Sequence, residues 1–300
     1  MRAWVTGGRG FVGRHLEAHL RERGDDVIVA ECDVTDGAAV EEALRTTLPD
    51  VIYHLAGLTS VADSWSHPAT YTRVNVLGTL HVVHAAATHV PGATTIVVSS
   101  ADVYGVVADV DLPLEETHLT APVSPYAQSK LEAEGFALRV AREGSRVIVV
   151  RPFPHIGPGQ SDRFVVPALT RRLLEARASA SDSITVGDLS ARRDFTDVRD
   201  VARAYRLLAE HGTSGEVYNV ASGHDVALSR VAQEIADDLG LAVRFVVDPA
   251  LLRPVEVPVL RGSFAKLHDA TGWEPAISLS QSLHDVIRDI EGRIAAGPPS

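Results

Sequence analysis

The 300-residue chain is 45% apolar and carries a formal net charge of −11. That is enough apolar side chain to fill a sizeable core, and the charge has the wrong sign for holding duplex nucleic acid or an anionic membrane by bulk electrostatics. The lone cysteine, Cys32, excludes an internal disulfide, no apolar run approaches the roughly 20 residues of a bilayer span, and the opening MRAWVTGG has no signal-peptide core, so a cytoplasmic protein is expected.

From the N-terminus, short β-rich apolar runs at 4–6, 27–30, 51–55, 95–99 and 147–150 alternate with stretches of helical period, the rhythm of βαβ units in a parallel sheet. The fold class this predicts is α/β, with a doubly wound parallel Rossmann sheet. Beyond Arg151 the rhythm weakens. PFPHIGPGQSD leads into a helix near 166–178, a helix over Val198–His211 precedes the strand-like EVYNVAS, and an irregular block runs from Ser222 to about Glu274. The sheet domain is expected to take residues 1–151 and about 187–221. A smaller, interleaved α/β substrate-binding lobe takes about 152–186 and 222–290, and a flexible tail takes 295–300, where AAGPPS has nothing to bury.

The first run ends in WVTGGRGFVGRHL, which sets Gly7, Gly10 and Gly13 between a strand and a helix. Glycines there permit the tight turn, admit a pyrophosphate to the backbone and let the helix lie close on the sheet, while the helix N-terminus favours the anion. A dinucleotide is the expected ligand, held by these glycines with Phe11 and Val12. After the second run, Glu31 is placed to accept hydrogen bonds from a ribose diol and Asp33 to bind an adenine amino group, with Val34 beside them. Arg9, inside the glycine loop, pulls the other way, because its guanidinium can pair with a 2′-phosphate. NADP(H) is favoured on that ground, with NAD(H) as the alternative.

SPYAQSK places Tyr126 and Lys130 one helical turn apart in a chain with six tyrosines and two lysines, so coincidence is a poor explanation. An ammonium held beside the phenol lowers its pKa, and Tyr126 can then give a proton to a carbonyl oxygen as hydride arrives, or take it back in the reverse direction. Upstream, IVVSSADVYG ends a strand at two serines, and ligands of doubly wound sheets lie at the carboxyl ends of the strands. Ser100 is placed to bond the same carbonyl or Tyr126; Asp102, two residues on, is an acid/base or a loop carboxylate. HLEAH spaces His15 and His19 by four but lacks the adjoining glutamate of a zinc motif, so no metal is expected. His155, in PFPHIGPG, reads either as a substrate contact or as a loop-packing ring.

With HLAG at 54–57, NVLGT at 75–79 and RRDFTDVRDVARAY at 192–205, the chain resembles the extended short-chain dehydrogenase/reductases that modify nucleotide sugars, over nearly its whole length. HIGPGQ, FVVPAL, LLRPVEVPVLRG and EVYNVASG look most like the branch of GDP-4-dehydro-6-deoxy-D-mannose reductases and GDP-mannose 4,6-dehydratases. The resemblance implies that Ser100, Tyr126 and Lys130 form the catalytic triad, supported by Asn75. It sets Leu55, Ala56, Gly57 and Pro152 along the dinucleotide, Arg193 and Arg261 on the substrate diphosphate, and Arg253 and Glu256 at the nucleotide. It also implies a homodimer through helices near 74–88 and 126–142.

Two positions depart from the pattern. Pro154 stands where these enzymes carry an asparagine, which leaves the sugar open, since proline has no side-chain hydrogen bonds to offer. Ala101 and Asp102 supply one short carboxylate where an elimination across C5 and C6 needs an acid and a base besides the tyrosine. The implied activity is therefore NAD(P)H-dependent reduction of the C4 ketone of a GDP-linked 4-keto-6-deoxy sugar, ahead of a 4,6-dehydratase, epimerase or decarboxylase that recycles bound NAD. A Rossmann regulator that senses NADP without chemistry would have no use for the tyrosine–lysine pair.

Overall fold

The computed structural model describes residues 1–251 and 257–296. The first half runs β1 (Arg2–Thr6), α1 (Phe11–Glu22), β2 (Asp26–Val29), α2 (Gly37–Thr47), β3 (Val51–His54), α3 (Val61–Ser66), α4 (Pro68–Tyr71), α5 (Gly78–His89), β4 (Thr94–Val98), α6 (Pro125–Arg142) and β5 (Val147–Pro152). A π-helical segment, Thr72–Leu77, joins α4 to α5. After β6 (His155–Ile156) come α7 (Val165–Ser179), β7 (Ser183–Val186), β8 (Arg192–Asp194), β9 (Thr196–Asp197), α8 (Val198–His211) and β10 (Val217–Val220). The chain then forms β11 (Asp225–Ala227), α9 (Leu228–Asp238), β12 (Arg244–Val247), β13 (Val259–Leu260), α10 (Ala265–Thr271) and α11 (Leu279–Ala296).

Six parallel strands form the main sheet in the order β10-β5-β4-β3-β1-β2. Strands buried on both faces must be apolar on both, and β5 divides accordingly. Val147 and Val149 face Ala137 and Val140 of α6, whereas Ile148 and Val150 face Tyr205 and Leu208 of α8. The stretch after β2 holds a full crossover helix, contrary to its short look in the sequence, and α2 carries the chain back over β1 to β3, leaving β2 at the edge. The strand order therefore reverses between β1 and β3, which puts a crevice above their carboxyl ends.

A separate core of Val166, Leu169 and Leu173 on α7, Val231 and Ile235 on α9, and Leu283, Val286 and Ile290 on α11 forms the second lobe. Its composition differs from the expected boundaries. Within the block after Ser222, α9 is a regular, strongly amphipathic helix that buries Leu228, Val231, Ala232, Ile235 and Ala236. Leu267 and Trp273 pack with Leu208 and Tyr218 in the sheet domain's core, so the segment around α10 returns to that domain. Conversely β8, inside the stretch expected in the sheet domain, pairs with β11 and β13. Ala295 and Ala296 end α11 instead of opening a tail, and residues 297–300 lie outside the described residues, as do Arg253 and Glu256.

Candidate active site

Gly7 adopts φ +67°, and a Cβ there would stand 2.8 Å from the Ala56 nitrogen, so the turn after β1 lies directly against the chain leaving β3. A Cβ on Gly13 would meet the Gly7 carbonyl oxygen at 2.3 Å, which is the close packing of α1 on the turn that this position requires. Gly10 caps α1 with extended backbone and without a side-chain acceptor, and the first turn holds no acidic residue. The leading N–H groups of α1, from Phe11 and Val12 onward, thus suit an anion brought from outside, the fit a dinucleotide pyrophosphate needs.

Past β2, Arg9 and Glu31 pair with each other at 3.2 Å, both largely exposed. An exposed pair of this kind is worth little and opens readily. Asp33 accepts from the Thr35 nitrogen at 2.8 Å. Val34 is buried and packs on Gly78 and the core beneath α2 and α5, so its side chain is taken up by packing. Leu55, Ala56 and Gly57 line the end of β3, and Pro152 is buried at the end of β5.

The catalytic candidates meet at the strand ends. Ser124 caps α6 by accepting from the Ala127 nitrogen at 3.1 Å and Pro125 occupies the first helical position, so SPY starts the helix and sets Tyr126 in its first turn. Ser100, just beyond β4, sits beside the Tyr126 phenol and lowers its pKa, while its hydroxyl donates to Asp102 Oδ2 at 3.3 Å. Burial and the Asp102 carboxylate hold the Tyr126 pKa above its ordinary value, against the lowering effect of Ser100, so the phenol keeps its proton at neutral pH. Lys130 Nζ donates to the Val98 carbonyl at 2.9 Å, and burial pushes its pKa down to about 8, opposed by the Glu134 carboxylate.

Asn75 sits in the π-helical segment. It exchanges hydrogen bonds with both backbone groups of Leu58, at 2.8 and 3.1 Å, and donates to Ser129 Oγ at 2.9 Å. It thereby ties the chain after β3 to α6. A Cβ on Gly57 would lie 3.0 Å from Asn75 Oδ1 and 3.1 Å from Lys130 Nζ, so these groups surround one point.

The substrate candidates of the second lobe gather on the β11-β8-β13 sheet, where Arg193 is in register with Leu260, the residue before Arg261. Arg261 Nη1 pairs with Asp225 at 3.3 Å, Asp225 also holds Arg192, and Arg193 Nη1 donates to the Arg192 carbonyl at 2.8 Å. His155 is half-buried and stacks on Phe11, ring centroids 6.0 Å apart and planes 9° from parallel, while its Nδ1 meets the Phe153 carbonyl at 3.0 Å. Its packing joins the glycine loop to the chain leaving β5, which is the loop-packing alternative.

Sequence reasoning missed three parts of the site. His54, the first residue of HLAG, lies buried between Thr6 Oγ1 at 2.8 Å and Thr79 Oγ1 at 3.0 Å, and burial and the Lys130 charge push its pKa down to about 3. Tyr71 packs edge-on to Tyr126, centroids 6.3 Å apart, and donates to the Ser60 carbonyl. Glu134 forms a buried ion pair with Arg151 at 2.7 Å. A signal existed for the last: Glu134 stands one helical turn beyond Lys130, in the row Tyr126, Lys130, Glu134.

Residues 3–221 match the NAD dependent epimerase/dehydratase family. The chain is 40% identical to the GDP-6-deoxy-D-mannose reductase of Pseudomonas aeruginosa over 98% of both chains, and 29% identical to the GDP-6-deoxy-D-talose 4-dehydrogenase of Aggregatibacter actinomycetemcomitans over 91% and 92% of the two. Among solved structures it is similar to RMD from Pseudomonas aeruginosa complexed with NADPH, with a TM-score of 0.90, 39% identity and coverage of 97% and 99%. It is also similar to the UDP-glucose 4-epimerase of Thermotoga maritima with UDP-glucose, with a TM-score of 0.90, 28% identity and the same coverage. With the sheet order, the glycine turn and the serine–tyrosine–lysine cluster, these matches place the chain in the NAD dependent epimerase/dehydratase family.

Proposed function

We propose that the protein is an NADPH-dependent reductase of a GDP-linked 4-keto-6-deoxy sugar, converting the C4 ketone to an alcohol. The observation that carries the reading is the 40% identity to a GDP-6-deoxy-D-mannose reductase over 98% of both chains. When bound, NADPH supplies hydride to the carbonyl carbon. Tyr126 gives its phenolic proton to the carbonyl oxygen, Ser100 bonds that oxygen and the phenol, and the Lys130 ammonium stabilises the negative charge left on Tyr126 until a proton from solvent restores it. Asp102, beside Ser100, orients that hydroxyl. Arg193 and Arg261 grip the diphosphate, which their planar forks suit. Arg9 leaves Glu31 to meet the 2′-phosphate of the cofactor.

Purified protein with NADPH and GDP-4-keto-6-deoxymannose is expected to consume NADPH stoichiometrically with product. An enzyme that recycles bound NAD would show no net change in nicotinamide absorbance, and that outcome sinks the reductase reading. In the same assay wild type should prefer NADPH to NADH, and Arg9→Ala should remove most of that preference; an unchanged preference rules Arg9 out as the phosphate reader.

The protein acts as a homodimer through α5 and α6, in keeping with the exposed Phe136 on α6 and Leu77 at the end of the π-helical segment just before α5. Light scattering at micromolar concentration should find twice the 32.1 kDa chain mass; the single-chain mass would remove the dimer.

A further inference from the structure

Beneath the tyrosine–lysine pair lies a buried polar network that the reaction itself does not call on. Glu134 is 1% exposed and Arg151 5%. Arg151 grips the Glu134 carboxylate with Nε at 3.0 Å and Nη2 at 2.7 Å, the Ser99 hydroxyl donates to the same carboxylate, and the guanidinium lies over the Tyr104 ring at 4.8 Å. Tyr104 in turn donates to Asn219 Oδ1 at 2.7 Å. Burying such a pair is costly, and apolar residues of similar volume often serve stability as well or better, so the pair is weak evidence of a stabilising purpose.

Its position indicates another purpose. Ser99 stands between Val98, whose carbonyl accepts from the Lys130 ammonium, and Ser100, which sits beside the Tyr126 phenol. Glu134 is on the helix that carries Tyr126 and Lys130, and Arg151 is on β5, the neighbour of β4. One carboxylate therefore ties three elements together directly under the reacting groups. Among the described residues, the titratable groups around Lys130 are few. Glu134 acts on it from the next helical turn, His54 faces it from β3 and is kept neutral by burial, Tyr126 precedes it by one turn on α6, Asp102 lies beyond Tyr126 in the turn after β4, and Arg151 lies behind Glu134. Asn75 and Gly57, on the remaining side, carry no charge.

We propose that Glu134 is a positioning residue: through Ser99 and Arg151 it holds the strand end bearing Val98 and Ser100 in register with the helix bearing Tyr126 and Lys130, and it sets a carboxylate one helical turn from the Lys130 ammonium. The kinetic part of this inference rests on the reductase reading; the titration part does not.

The chain has two lysines, so protein labelled with [13Cε]lysine gives two ammonium signals, and Lys266→Arg assigns them. Wild-type Lys130 should titrate near pH 8, and in Glu134→Gln/Arg151→Met, which removes both buried charges together, its midpoint should fall by about one unit. An unmoved midpoint overturns the electrostatic half. In turnover, the alkaline limb of kcat/KM should move down with that midpoint, and kcat should fall about thirtyfold with the sugar KM within about threefold, a loss within the range for a displaced proton donor.

Glu134→Asp, which keeps the charge but shortens the reach, should hold the limb near wild type while kcat stays low. Where the double variant does not fold, Ser99→Ala leaves the ion pair intact and should lower kcat about fivefold at an unchanged melting temperature, by loss of register alone. Wild-type kcat in Ser99→Ala, or a fall in kcat that merely tracks lost thermal stability with no shift of limb or midpoint, overturns the positioning role. Wild type without any reductase activity fails the reductase reading, and the lysine titration still decides the electrostatic half.

Discussion

Tyr126→Phe is expected to lower kcat about a thousandfold while leaving NADPH affinity within about threefold, since general acid catalysis by a positioned group contributes roughly 10² to 10⁴. The ring that packs against Tyr71 is kept, and only the hydroxyl beside Ser100 is lost. The change should therefore cost no more than about 1 kcal/mol of stability, the scale of one hydrogen bond. Steady-state assays with fluorescence titration of NADPH separate the two quantities. A loss of less than tenfold would mean that the proton comes from another group, with Asp102, the carboxylate beside Ser100, as the one to test next.

Gly13→Ala should abolish dinucleotide binding, with an affinity loss of at least about a hundredfold, or about 3 kcal/mol. Its Cβ would meet the Gly7 oxygen at 2.3 Å, the Gly8 Cα at 2.5 Å and the Gly8 oxygen at 2.6 Å. All three are backbone atoms, so no side chain can swing away, and either the turn or α1 must move. Gly10→Ala is the control, because its Cβ meets only the Gly7 oxygen at 3.1 Å, and it should weaken NADPH far less at a similar melting temperature. Equal losses in the two variants would show that any side chain in the loop obstructs the ligand and that close helix packing is not the reason for Gly13.

Much of the sheet domain was legible because its signals are short-range. The apolar runs end within a residue or two of the strands, and Val198–His211 is the full extent of α8. The pair Tyr126 and Lys130 could be read as chemistry because both sit on one helix whose start is written in SPY. The second lobe was harder. Its strands are two to four residues long, too short for a period-two pattern to emerge from the loops around them.

The limits of that reading are physical. Side-chain periodicity, caps and glycine turns act over a few residues, so the amino-acid order alone was enough to call for a parallel α/β sheet, a phosphate-binding turn and a phenol one helical turn from an ammonium. Contacts between distant segments are set by how the elements pack, and no local pattern encodes them. Packing decided that Arg9 faces Glu31, that Val34 enters the core while His155 stacks on Phe11, that Ser100 reaches Tyr126 across a gap in sequence, and that Glu134 finds Arg151 and Ser99 beneath them.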